Sequence, residues 1–121
     1  DMVMIKDNHL LITNSMEGII KSARKRHKHV EVEVENQRDA ILAASSGATI
    51  VMLDNFSPVQ IKKTIAALQK KKLRNKVKLE ASGGINSKNI AAYTKTGVDM
   101  ISVGSITNSV SGLDLSLEVC V

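Results

Sequence analysis

Glu31, Glu33 and Glu35 alternate with Val30, Val32 and Val34. A strand through this stretch sends carboxylates to one face and β-branched apolar side chains to the other. Turned into a protein interior, such acids must be paired or hold a metal, because an isolated buried charge costs several kcal/mol. The same parity extends to Met2, Met4 and Lys6, to Ile50, Met52 and Asp54, to Lys78, Glu80 and Ser82, and to Met100, Ser102 and Gly104. Lysines and carboxylates thus share one face, which ends in polar or small residues. Acids there suit cations, a lysine suits an anion, and the glycines of Ser82-Gly83-Gly84 let backbone N–H groups approach a ligand. By itself Ser82-Gly83-Gly84 reads as an ordinary turn.

Helices must position these strands. Ser15 can cap a helix carrying Ile19, Ile20 and Ala23, and Asn36 a second helix that Gly47 stops. Ser57-Pro58 opens a third through about Leu68, and Ser87 starts a short fourth that ends at Gly97. Between them run the strands Met2 to Lys6, Val30 to Asn36, Thr49 to Leu53, Lys76 to Ala81 and Asp99 to Val103. Alternation of strand and helix predicts an α/β fold of parallel strands with right-handed crossovers. The opposite parity set, including Val3, Ile5, Val51, Leu53, Leu79, Ile101 and Val103, is apolar and fits beneath helices. In barrels of this kind the chemistry sits at the C-terminal ends of the strands. A closed eight-stranded barrel takes about 250 residues. The 121 residues are therefore expected to be an incomplete portion, about five strands, of a TIM-like (β/α) barrel with two open edges. No second domain is visible, and residues 106–121 fit either helix or extended chain.

Composition narrows the function. Hydrophobic residues are 43% and charged residues 24% of the chain, with a net charge of +5, which is the balance of a globular domain and not of a disordered one. No membrane-length apolar run and no signal-peptide pattern is present, so the expectation is cytoplasmic with no membrane partner. The basic runs Lys21 to Lys28 and Lys70 to Lys76 read as solvated faces or as attraction for a small polyanionic substrate. Nucleic acid is disfavoured, since Phe56 and Tyr93 are the whole aromatic complement available for base stacking. Cys120, the single cysteine, reads as a small apolar residue with no role. His27 and His29 are expected in water, and Lys78 with Glu80 reads as an internal ion pair.

Set side by side, Lys6-Asp7-Asn8-His9, Val30-Glu31-Val32-Glu33-Val34, Met52-Leu53-Asp54-Asn55-Phe56, Leu79-Glu80-Ala81-Ser82-Gly83-Gly84-Ile85 and Val98-Asp99-Met100-Ile101-Ser102-Val103-Gly104 resemble the C-terminal barrel part of the quinolinate phosphoribosyltransferase family, also called carboxylating nicotinate-nucleotide pyrophosphorylases. The resemblance runs from about residue 2 to the end. It implies transfer of a phosphoribosyl group from phosphoribosyl pyrophosphate to quinolinate with decarboxylation, giving nicotinate mononucleotide on the route to NAD, with Mg²⁺ as cofactor. It carries the family's lysine onto Lys6 and its catalytic carboxylates onto Glu33 and Asp54, which would also hold the metal through water. Its phosphate-binding turns fall on Ser82, Gly83, Gly84 and Gly104, and the helix starting at Ser87 is expected to add its positive end there. The resemblance further implies a homodimer or larger homo-oligomer in the complete protein. The family's N-terminal domain and the arginine-bearing barrel segments that grip quinolinate are absent from this sequence, so the chain alone is expected to be inactive. Where many members have Leu-Thr-His-Ser, this chain has Ile106-Thr107-Asn108-Ser109; His9 could orient its loop or touch substrate. Two other readings are a phosphoribosyltransferase of the same fold with another acceptor, such as the homologue associated with molybdate transport, and a phosphate-binding module without catalysis.

Overall fold

Strand order separates the two common α/β architectures. A doubly wound sheet reverses its order and puts helices on both faces, whereas a barrel adds each strand on the same side of the last and keeps its helices on one face. In the computed structural model, which describes residues 1–6 and 15–104 and the backbone of 117–120, the order is β1-β2-β3-β4-β5-β6 with no reversal. The strands are β1 Met2–Ile5, β2 His29–Val34, β3 Ile50–Asp54, β4 Lys78–Ser82, β5 Met100–Val103 and β6 Leu117–Cys120. β1 to β5 pair in parallel. The chain therefore has the sheet of a barrel portion.

The register bears out the parity set. Met4 pairs with Glu31, Glu31 with Ile50, Glu33 with Met52, Met52 with Glu80, Asp54 with Ser82 and Glu80 with Met100. Parallel neighbours in register share a face, so the members within the paired strands fall on the expected side. On the other side Val30, Val32, Val51, Leu53, Leu79 and Ile101 are each 0% exposed. Burying each contributes about 1.5–3 kcal/mol, and shifting β2 or β4 by a single residue would exchange these side chains for charged ones.

The helices are α1 Met16–Arg26, α2 Gln37–Ser45, α3 Pro58–Lys70 and α4 Ile90–Thr94. The expected caps are present. Ser15 Oγ accepts from Gly18 N at 3.0 Å, and Asn36 Oδ1 from Asp39 N at 2.8 Å. Ser57 and Gln60 form a reciprocal capping box around Pro58. Gly47 ends α2 at a φ of 106°, a region open to glycine at little cost.

Three expectations change. The start at Ser87 is replaced by a turn, because Asn86 Oδ1 accepts from Lys88 N and Asn89 Oδ1 from Asn86 N, engaging the N–H groups locally. The helix proper begins only at Ile90 and runs five residues, too short to add a useful positive end. Secondly, β6 runs antiparallel along β5, so the chain's C-terminal segment covers one of the two edges expected to be open; residues 117–120 are extended. Thirdly, His27 is half-buried and its Nδ1 lies 2.8 Å from Asp1 Oδ1, whereas His29 is exposed as expected. The loop residues Asp7, Asn8 and His9, the tetrad Ile106 to Ser109 with Asn108, and Gly112 lie outside the described residues.

Candidate active site

Three strand ends bring the predicted residues together. Ile5 pairs with Val32, which sets Lys6 beside Glu33 as the next step of the ladder. Glu33 pairs with Met52, and Asp54 lies two residues further along the same strand, on the same face. With strands about 4.8 Å apart and a rise of about 3.3 Å per residue, the Glu33 and Asp54 Cα atoms are about 8 Å apart and those of Lys6 and Asp54 about 12 Å. Asp54 pairs in turn with Ser82, the last residue of β4 and the first of the Ser82–Gly84 turn. Gly104 follows β5 at the same end and is exposed. Glu33 and Asp54 are half-buried and Lys6 is exposed, so charged groups reach this mouth without the full desolvation cost of a core.

The turn after β4 is held on both sides. Asn55 adopts the left-handed region at a φ of 59°, its N–H donates to Ser82 O at 2.8 Å, and its Nδ2 donates to Asp54 Oδ2 at 3.3 Å. Gly83 and Gly84 take φ values of 86° and 69°, and Asn89 Nδ2 donates to Gly84 O at 2.9 Å. Asparagine is among the few residues with a side chain that tolerate positive φ. Asn55 thus couples the carboxylate strand to the glycine turn. The one sequence signal for that role is Asp-Asn at a strand end.

Deeper on the same face, Glu31 and Glu80 are 6% and 4% exposed. The Ser102 hydroxyl donates to Glu80 Oε1, which replaces the expected ion pair: Lys78 is exposed, at the start of β4, and forms none with Glu80. Ser102 lies on the face that strand parity gives it, and its pairing with Glu80 is set by the neighbouring strands alone. Glu35 sits exposed at the rim. The basic runs are largely solvated, as the first of their two readings has it. α1 and α3 run back against the strands, so the cations that follow Arg24 and Lys70 arrive at the N-terminal ends, away from Glu33 and Asp54. Phe56 and Tyr93 are 3% and 8% exposed, so neither ring is presented for stacking.

A singly wound parallel sheet with acids, a lysine and a glycine turn gathered at its C-terminal edge defines an α/β-barrel protein whose open mouth suits a charged, phosphate-bearing ligand. Residues 1–118 match the family described as quinolinate phosphoribosyl transferase, C-terminal domain, and the chain belongs to that family. It is 48% identical over 122 residues to a probable carboxylating nicotinate-nucleotide pyrophosphorylase of Methanothermobacter thermautotrophicus, covering 98% of this chain and 44% of that protein. The rat nicotinate-nucleotide pyrophosphorylase is 41% identical over 121 residues, 98% of this chain and 40% of that protein. The solved structure of the Francisella tularensis nicotinate-nucleotide pyrophosphorylase superposes with a TM-score of 0.78 at 38% identity, covering 96% of this chain and 39% of that one. The chain thus spans less than half the length of these relatives.

Proposed function

We propose that this chain provides the ribose and diphosphate side of a phosphoribosyltransferase site. The reaction joins quinolinate to the ribosyl group of phosphoribosyl pyrophosphate, releases pyrophosphate, and exchanges one quinolinate carboxylate for a proton with loss of carbon dioxide, giving nicotinate mononucleotide. One observation carries the reading: in a member of this family, Glu33 and Asp54 share one face of adjacent strands, with Lys6 directly after β1 and the Ser82–Gly84 turn directly after β4 at the same end of the sheet.

Breaking the bond from ribose C1 to pyrophosphate develops positive charge on the sugar and negative charge on the leaving group. Glu33 and Asp54, fixed on neighbouring strands, complement the first and can accept hydrogen bonds from ribose hydroxyls. Lys6 complements the second, or a substrate carboxylate, as a point charge. The Ser82–Gly84 turn and Gly104 approach the phosphate groups through the backbone.

Mg²⁺ fits these residues. It binds through one or two carboxylates, retained waters and substrate phosphates, not in an all-protein cage. Among the described residues no cluster of three or more His, Cys, Asp or Glu side chains forms such a cage. Glu33 and Asp54 would hold the ion through water, and when bound it supplies positive charge to the diphosphate. In the complete protein the quinolinate carboxylates are gripped by other segments, and the protein works as a homodimer or larger homo-oligomer in the cytoplasm. No helix among the described residues is long and apolar enough to cross a membrane.

The test uses the full-length protein containing this chain, with nicotinate mononucleotide as the product measured. Glu33→Gln, Asp54→Asn and Lys6→Met should each lower kcat/KM about 100-fold or more with circular dichroism unchanged, and the 121-residue chain alone should show no turnover. Variants within about threefold of the parent would end the assignment of these side chains.

A further inference from the structure

At the N-terminal end of the strands, away from Lys6, Glu33 and Asp54, a cleft of about 600 Å³ opens between the end of α3, the start of β4 and the turn before β5. Three cations line it, Arg74, Lys76 and Lys78, against one carboxylate, Asp99. That carboxylate is already engaged: Asp99 Oδ2 accepts from Arg74 Nη2 at 3.0 Å and from Leu79 N at 2.7 Å. Arg74 also donates to Val77 O at 3.1 Å and to Gly97 O at 2.9 Å, so its guanidinium is fixed before any ligand arrives. Lys76 and Lys78 are exposed, and neither lies in an ion pair among the described residues.

Cations that follow a helix C-terminus compensate its dipole within the last turn. That explains Lys70 but not Lys76 or Lys78, which stand beyond the end of α3. A positive cleft with a pre-fixed guanidinium, two exposed ammonium groups and the amide of Asn75 on its wall matches the needs of a phosphate group, which takes charge-assisted hydrogen bonds from several directions. Its volume falls within the range of small-molecule pockets and leaves room for an organic substituent. We propose that this cleft is a second anion site, which takes a small phosphate monoester at the end of the barrel portion opposite the candidate active site. A bare inorganic phosphate and the phosphate of a nucleotide share this chemistry.

The experiment follows backbone amides of these residues in the ²H,¹⁵N-labelled full-length protein containing this chain by NMR during titration with inorganic phosphate and, separately, with adenosine monophosphate, chloride being adjusted to hold ionic strength constant. Saturable shifts at Asn75, Lys76 and Gly97 are expected with at least one probe; tighter binding of the nucleotide would mean that its organic part also contacts the cleft, equal binding that phosphate alone is read. Lys76→Glu combined with Lys78→Glu, both on exposed side chains, should weaken that binding about tenfold or more. Lys70→Glu combined with Lys71→Glu makes the same change in net charge outside the cleft and should leave it within about twofold. Shifts that never saturate, or equal weakening by the two double variants, would show diffuse surface attraction and overturn the proposal. Gly83 and Gly84 report the candidate active site in the same spectra, so the two sites are read independently.

Discussion

A Cβ placed on Gly83 would lie 2.5 Å from Asn55 Oδ1 and 2.9 Å from the Asn55 backbone nitrogen. The same Asn55 N–H donates to Ser82 O, so the loop after β3 and the turn after β4 are in contact with no space between them. Gly83→Ala must therefore displace backbone as well as a side chain, and it also forces a φ of 86° on an alanine. Gly84, with a φ of 69°, has nothing within 4 Å of its Cβ position. Gly84→Ala should cost about 1 kcal/mol, the conformational penalty alone, and Gly83→Ala about 2–4 kcal/mol. Urea denaturation of the two variants decides the matter; equal losses would mean that the contact with Asn55 relaxes freely.

Tyr93 Oη donates to Phe56 O at 2.9 Å, and both residues are buried. This bond ties α4 to the loop that follows Asp54. Tyr93→Phe keeps the ring and leaves a buried carbonyl without its donor, for a loss of about 1–2 kcal/mol. The variant should also quicken amide hydrogen exchange in the turn 85–89 and in α4. Unchanged exchange there would assign the bond a purely local effect.

Asp99 pairs with Leu79 twice, its N–H donating to Leu79 O at 2.9 Å and its carboxylate accepting from Leu79 N at 2.7 Å, while Arg74 binds the same oxygen. Asp99→Ala strands a buried N–H group and leaves the half-buried guanidinium without its counter-ion. The expected cost is about 2–3 kcal/mol, and Asp99→Asn, which keeps an acceptor, should recover about half of it. Thermal unfolding monitored by circular dichroism compares them, and an asparagine variant no better than alanine would make the ion pair the dominant part.

Glu17 is held below its ordinary value of 4.5 by a hydrogen bond from Lys21 and by that residue's positive charge. A carboxylate whose pKa is lower folded than unfolded contributes stability above the unfolded value, and that contribution disappears as pH falls through the folded one. Glu17→Gln should accordingly lower the melting temperature slightly at neutral pH and not at all once the solution is more acidic than the folded pKa. Because the pair is solvent-exposed, 0.5 M salt should shrink the neutral-pH difference. A difference that persists in acid would trace to helix propensity or capping and not to the pair.

Much of the frame was legible because it is local. Period-2 alternation fixes which side chains share a strand face, so the placement of Glu33 with Met52 and of Asp54 with Ser82 follows once the strands are aligned. Caps at Ser15, Asn36 and Ser57 were equally readable, since a side chain bonding an N–H three residues on needs no partner from elsewhere in the chain. Ser87 misled for a related reason: serine is a good cap in isolation, but the Asn89 and Ile90 N–H groups that it would have capped donate to Asn86 O, and the Asn86 and Asn89 side chains close a turn that delays the helix.

What the chain's order of residues determined by itself was the alternation of strand and helix, the apolar and charged faces, and the set of acids, lysine and glycines at the strand ends, because these depend on periodicities of two and 3.6 residues and on side-chain chemistry. Tertiary structure alone decided which end each charge occupies, that Asn55 packs on Gly83, that Ser102 and not Lys78 partners Glu80, and that β6 lies along β5. Those relations join residues far apart in sequence, and only the packing of helices against a registered sheet sets the distance between them.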